Sequence, residues 1–263
     1  MSTHSQEKEV LLILCDISGY TQFMTANRHA LAHSYVIISQ LMKTVLQHAK
    51  RPLQVAKLEG DAVFLYALQQ GSASERAQRM WQVMEMLLRL SRAFETRRRE
   101  LEQANICPCE ACKNVDRLRL KIIVHSGTAL FHRIDRFDEL SGVDVILAHR
   151  LLKNSLRQSQ YILLTETAQR DLGSYPMADC VESQEHCEGL GTIKTFLYRP
   201  LLGTEQGLPS DRPRSYTSLR FRAKDILTKI LLARLAQLRL VRWPRFNNLP
   251  NWQPARFNTE RCV

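Results

Sequence analysis

The sequence predicts an α/β (α+β) fold, a sheet with helices lying largely on one face. Three observations lead there. Val10 to Cys15 is an unbroken apolar run that ends at Asp16, as a buried central strand requires. Two long stretches, Thr21 to about Lys50 and Ser74 to about Gln103, carry apolar residues at intervals of three and four, the spacing of an amphipathic helix. Between and after them lie short apolar runs separated by turn residues, the alternation of strand and helix that builds mixed sheets.

Taken in order, the first helix carries Phe23, Met24, Leu31, Val36, Ile37, Leu41 and Val45 with no proline among them. Val55–Leu58 and Ala62–Tyr66 read as two strands, with Glu59-Gly60-Asp61 as the tight turn of a hairpin. The second helix carries Trp81, Met84, Met86, Leu87 and Leu90. After a cysteine-bearing loop, Leu118–Val124 reads as a strand. Ser126-Gly127 reads as an interruption, and a further strand continues to about Phe131. Val143–Leu152 is helical, Tyr161–Thr165 a strand, and Val181 and Leu197 mark two more. Leu202–Arg214, rich in Gly, Pro, Ser and Asp, reads as a linker. No internal repeat is present.

The chain of 263 residues is 44% hydrophobic and 24% charged, enough for one sizeable core and an appendage. Its start is charged and lacks the apolar segment of a secretory signal. No uncharged apolar run approaches the roughly 18 residues that cross a bilayer. Seven cysteines without an export signal read as reduced thiols or metal ligands. The expected location is the cytoplasm. Of the net charge of +11, residues 211–263 supply +9, twelve Lys and Arg against Asp211, Asp225 and Glu260. Attraction to anionic surfaces is therefore expected at the C-terminal end.

Asp16 ends a strand just before a helix, and Asp61 sits at the hairpin turn. If that hairpin flanks the first strand, both carboxylates reach one edge of the sheet. Two hard oxygen ligands so placed suit Mg²⁺ or Mn²⁺, and a metal pair can both activate a hydroxyl and bind the oxygens around a phosphorus. The turn Ser18-Gly19-Tyr20-Thr21 offers free backbone N–H groups to a phosphate. Taken singly, Asp16 reads as a helix cap and Asp61 as a turn residue.

Cys15-Asp16-Ile17-Ser18-Gly19-Tyr20-Thr21, Lys57-Leu58-Glu59-Gly60-Asp61, Val124-His125-Ser126-Gly127 and the segment Gly142 to Leu151 occur in this order over nearly 190 residues. In order and spacing they resemble the motifs of class III nucleotidyl (adenylyl/guanylyl) cyclase domains, in a bacterial branch whose members carry a Cys-x-Cys-x-x-Cys loop. The resemblance implies a ferredoxin-like βαββαβ core over residues 8–201; composition and helical spacing make 202–215 a linker and 216–263 a basic helical tail. It implies a head-to-tail homodimer with composite sites, in which a nucleoside triphosphate, ATP by preference, becomes a 3′,5′-cyclic nucleotide and pyrophosphate in signalling. Asp16, Asp61 and the backbone of Ile17 match the ligands of two Mg²⁺ or Mn²⁺ ions. Arg150 matches the transition-state arginine. Ser18, Gly19, Tyr20, Thr21, Gly60, Lys57 and Glu139 match nucleotide-binding positions, with Lys57 and Glu139 reading the base. Two positions depart from the pattern: Ile146 replaces the transition-state asparagine, and Glu188 aligns with the triphosphate-binding lysine. The alternative is a cyclase-fold domain that binds nucleotide or acts as a scaffold without turnover.

Cys107, Cys109 and Cys112 place three thiols within six residues. They suit a structural Zn²⁺ whose fourth ligand is Cys180, His186, Cys187 or a residue of another subunit. A redox-responsive thiol cluster and no special role are the alternatives. His29, His33 and His48 lie along the first helix and read as surface or packing residues, and Cys15 as core packing. In the tail, Ala223, Ile226, Leu227, Ile230, Leu231 and Leu238 share one helical face, interrupted by Arg234, and Arg242, Trp243, Arg245, Phe246 and Trp252 follow. Docking on the domain, dimer packing, peripheral binding at the inner membrane face and a partner protein are the readings. No signature of a nucleic-acid-binding fold supports the remaining one.

Overall fold

The computed structural model describes residues 5–26, 31–103, 110–156, 158–172 and 180–199, with Ala223, Leu227 and Leu231 in the tail. The strands are β1 (Gln6–Ser18), β2 (Gln54–Glu59), β3 (Ala62–Leu68), β4 (Arg119–Ile134), β5 (Phe137–Ser141), β6 (Tyr161–Thr165), β7 (Cys180–Cys187) and β8 (Gly191–Tyr198). The helices are α1 (Tyr20–Ala26), α2 (Leu31–His48), α3 (Ala73–Gln103), α4 (Glu110–Lys113), α5 (Val143–Leu151) and α6 (Glu166–Leu172). They form a mixed α+β fold with one large sheet. Its strand order is β2-β3-β1-β4-β6-β8-β7, with β5 paired to β4 off that path. Within it, β4-β1-β3-β2 with antiparallel pairing throughout is the βαββαβ arrangement expected.

The chain divides into two compact units. The first, residues 1–18, 41–96 and 119–206, holds the sheet. Val10 to Cys15 are each at most 1% exposed, so both faces of β1 are covered, which is why its sequence does not alternate. On one face Val10, Leu12, Leu14, Phe64, Ile123 and Leu163 pack with Val145, Leu147, Ala148 and Leu151 of α5. The apolar spacing of α5 thus fixes the helix that carries Arg150 to the sheet. Cys15 lies within β1, and burial pushes its thiol up to about 12, with the Asp16 charge adding to the shift. It is a packing residue.

The second unit, residues 19–40, 97–118 and 207–263, contains α1 and α4, which pack together. Phe23, Ala111, Cys112, Val115 and Leu118 are buried in it. Gly19 has φ +86° and lies close to the Arg117 carbonyl, where a side chain would be strained.

Two expectations change. The first helix is described as α1 and α2, with residues 27–30 between them outside the described residues. Ser126-Gly127 does not interrupt the sheet: β4 runs unbroken through it, pairing Val10 with Gly127 and Leu11 with Ser126. The glycine serves a close approach instead, since a Cβ at Gly127 would overlap the Asp144 carboxyl group. That carboxylate accepts from the Thr128 backbone N–H at 2.6 Å and pairs with His125 Nε2 at 3.0 Å. The ring's Nδ1 meets Thr165 Oγ1 at 2.9 Å. Burial alone would raise the Asp144 carboxyl, but these hydrogen bonds win and hold it below its usual value. The clasp ties the first turn of α5 to β4. Asp144→Asn should cost about 1–3 kcal/mol, measured by urea unfolding at pH 7. Because the folded-state value is depressed, that difference should shrink as the pH falls into the carboxylate range. An unchanged midpoint would mean the clasp contributes nothing.

Among the described residues no helix is long and apolar enough to cross a membrane. Most of the tail lies outside the described residues. Ala223, Leu227 and Leu231 are helical and exposed, Leu227 and Leu231 at 68% and 56%.

Candidate active site

The first unit brings Asp16 and Asp61 together. In β1, Asp16 pairs with Ala62 of β3 on one side and Lys121 of β4 on the other. Asp61 precedes Ala62 in the two-residue turn Gly60-Asp61, where Gly60 at φ +65° supplies the conformation a tight hairpin needs at that position. The Ile17 backbone N–H donates to the Asp61 carbonyl at 3.3 Å, locking the turn to the end of β1. Burial pushes the Asp61 carboxyl up to about 6, and the charge of the Asp16 carboxylate adds to this. Two carboxylates this close resist ionising together.

Lys121, which the sequence reading passed over, sits in the same place. Its Nζ lies 2.9 Å from Asp16 Oδ2 and donates to the Leu152 carbonyl, just past the end of α5, at 3.0 Å. The signal was present in the sequence: one lysine in the strand run Leu-Lys-Ile-Ile-Val has to find an anion if it is buried.

Lys57 and Glu139, 82 residues apart, meet with Nζ 3.1 Å from Oε2. Glu59 joins Lys57 at 3.4 Å, and His149 Nε2 lies 3.3 Å from Glu59. The His149 ring stands edge-on to Phe64, centroids 5.0 Å apart. Burial draws Lys57 down, but the hydrogen bond and charge of Glu139, with Glu59, hold it above its ordinary value. Burial draws His149 down, favouring the neutral ring. Glu59 and His149 lie inside quoted motifs, but only their contacts across the fold give them a role.

Arg150 and Glu188, from α5 and the β7–β8 turn, form an ion pair at 3.2 Å. Ile146, one turn before Arg150 on α5, is 52% exposed. Ser18 ends β1 in the first unit, whereas Gly19, Tyr20 and Thr21 belong to the second. Cys107 and Cys109 lie outside the described residues, and Cys112 is buried on α4. Among the described residues no group of three or more His, Cys, Asp or Glu side chains is arranged to hold a metal.

A family profile described as "Protein of unknown function (DUF2652)" matches residues 38–161. The uncharacterized protein Rv2561/Rv2562 of Mycobacterium tuberculosis is 32% identical over 158 residues, 60% of this chain and 71% of that protein. The chain belongs to that protein's family. Among solved structures, the adenylyl cyclase CyaB of P. aeruginosa superposes with a TM-score of 0.57 at 16% identity, covering 78% of this chain and all of that one. The guanylyl cyclase Cya2 superposes with a TM-score of 0.54 at 11% identity, over 79% of this chain and 98% of its own. These likenesses establish that this family member has the fold of class III adenylyl and guanylyl cyclase domains.

Proposed function

We propose that residues 8–201 form a metal-dependent nucleotidyl cyclase domain that acts on a nucleoside triphosphate, ATP by preference. The observation that carries the reading is the convergence of Asp16 and Asp61, separated by 45 positions yet brought to one edge of the sheet by the pairing of Asp16 with Ala62. The site suits divalent cations for a physical reason. Asp61 is held up to about 6 by burial and by a second carboxylate, and Lys121 already supplies one positive charge there. A cation would relieve the remaining repulsion. Asp16, Asp61 and the Ile17 backbone are the ligands for two Mg²⁺ or Mn²⁺. When bound, such ions lower the pKa of the attacking ribose hydroxyl and stabilise charge on the phosphorus oxygens.

The chain's own residues do the rest. Lys121 pairs with Asp16 and orients it. Lys57 and Glu139 present a donor and an acceptor to the base, with Glu59 and His149 fixing Lys57. Arg150, a fixed multi-donor cation, meets the phosphates of substrate held by a partner subunit in the head-to-tail homodimer. Ser18 and Gly60 contribute backbone to the phosphate site. We assign 202–215 as a linker and 216–263 as a basic tail for a membrane surface or a partner protein.

A second reading has specific support. Arg150 is engaged by Glu188, and Ile146 is exposed where a polar group would be needed. Both fit a domain that binds nucleotide, or serves as a scaffold in signalling, without turning substrate over.

The test incubates purified protein with Mn²⁺ or Mg²⁺ and each of ATP, GTP, CTP and UTP, and detects cyclic product by mass spectrometry. Product that vanishes in Asp16→Ala supports the cyclase; none above that control with any triphosphate removes it. For the base, Lys57→Glu should shift the ATP-to-GTP ratio of kcat/KM by about tenfold or more toward GTP. An unaltered ratio would place base recognition elsewhere.

A further inference from the structure

Ile134 and Phe137 lie outside the core, 59% and 56% exposed, and the proposed cyclase chemistry uses neither. They face each other across the β4–β5 hairpin, and the next pair on that face is His132 with Glu139. Side chains alternate along a strand, so all four project from one face of the hairpin. With Leu140 and Ser141 they line an open pocket of about 330 Å³, at the small end of the roughly 300–1,000 Å³ of small-molecule sites. Glu139 belongs to two places at once, lining this pocket and pairing with Lys57 at 3.1 Å. The pocket is therefore continuous with the pair assigned above to the base. The Arg136 guanidinium carbon lies over the Phe137 ring, 5.1 Å from its centroid, so a cation holds one face of the ring and the other is left for a ligand.

We propose that Phe137 is the platform on which a purine base stacks, with Ile134 beside it completing the apolar wall and Lys57 and Glu139 meeting the edge of the base. The inference rests on the nucleotide reading above and adds to it a contact with the face of the base. A single exposed apolar residue is ordinary; here two face each other and share a pocket with a charged pair. A stable protein contact buries about 800 Å² on each partner, more than two hairpin side chains bordered by the exposed charges of Arg133 and Asp138 supply. A flat ring fits the pocket better. Stacking accepts any base, because every base has a π-face. Phe137 therefore supplies affinity for the nucleotide, and Lys57 the choice between bases.

Calorimetric titration of the full-length protein with Mn²⁺ and 3′-deoxy-ATP, 3′-deoxy-GTP or inorganic tripolyphosphate tests the platform without turnover. Phe137→Ala should weaken both nucleotides alike, by about tenfold, and leave tripolyphosphate affinity unchanged. Phe137→Tyr keeps the ring and should bind both nucleotides as the wild type does. Because Phe137 is exposed, its unfolding midpoint should hardly move, which separates a lost contact from lost folding. Phe137→Ala protein that binds both nucleotides as tightly as wild type overturns the platform and leaves the nucleotide reading standing. Nucleotide and tripolyphosphate weakened equally would also overturn it, since no contact with the base would then have been lost. A changed oligomeric state by sedimentation, at unchanged nucleotide affinity, reassigns the hairpin to a subunit contact. Wild-type protein that binds neither nucleotide removes the nucleotide reading and the platform with it.

Discussion

Asp61→Asn should make the metal-free protein more stable at pH 7 while removing its metal-dependent nucleotide binding. Burial and the neighbouring Asp16 carboxylate raise Asp61 to about 6 from an ordinary value of 3.8. A carboxyl raised in the folded state binds its proton more tightly there than in the unfolded chain. Stability contributed by this group is therefore greatest below the unfolded value, declines as the pH rises from about 4 to about 6, and stays low above. The full shift corresponds to about 3 kcal/mol. The site is only half-buried, so screening should leave about 1–2 kcal/mol. Asparagine keeps the shape and removes the charge, so the variant should lose the decline between pH 4 and pH 6.

Asp16→Asn should do the opposite. Asp16 is the partner of Lys121 at 2.9 Å, and both side chains are less than a fifth exposed. Neutralising it leaves Lys121 with the Leu152 carbonyl as its described partner, and a partly buried cation that loses its anion should cost about 1–3 kcal/mol. Both variants should weaken Mn²⁺-dependent nucleotide binding by about 10²-fold or more. Urea unfolding with chelator from pH 4 to 8, paired with nucleotide titrations with and without Mn²⁺, reads both effects. If Asp61→Asn were no more stable than wild type at pH 7, the two carboxylates would not be in electrostatic conflict. The site would then hold no repulsion for a cation to relieve.

Residues whose chemistry is expressed along the chain were legible in the sequence; residues that act by meeting a distant partner mostly were not. β1 could be read because a strand covered on both faces has only apolar residues to show. The approach of Asp16 to Asp61 followed from a hairpin whose place in the chain implied strand adjacency. Lys121 was missed because strand periodicity alone marks it as an ordinary polar residue, and only the register with Asp16 gives it a role. β4 was divided because Gly127 carries two meanings, a break in a strand or space for a neighbour, and the Asp144 carboxylate that decides between them is 17 residues away. β5 is short and largely polar, Phe-Asp-Glu-Leu-Ser, so no apolar run announces it. Its pairing with β4 is what brings Glu139 to Lys57.

Glu188→Lys combined with Ile146→Asn should raise cyclic-nucleotide formation above that of the wild type. Arg150 and Ile146 are four residues apart on α5 and share a face. Glu188 holds the guanidinium at 3.2 Å, and its charge repels any phosphate approaching Arg150. Reversing that charge frees the arginine and adds a cation beside it. An asparagine at position 146 supplies a donor and acceptor where an alkyl side chain can orient neither ribose nor phosphate. One positioned polar group is worth about 10²–10³ in rate. Each single change should therefore be detectable, and the pair should exceed either alone. The changes should hardly affect stability, because Glu188 is 89% exposed and Arg150 47%, and such surface pairs contribute about 0–1 kcal/mol. Unfolding midpoints within that range would assign any rate change to the site itself. If the double variant still binds nucleotide with Mn²⁺ but forms no more product than wild type, the missing contacts are not what limits turnover. The cyclase fold would then serve here to bind and signal, and the Arg150–Glu188 pair would be part of a site that has given up phosphate chemistry.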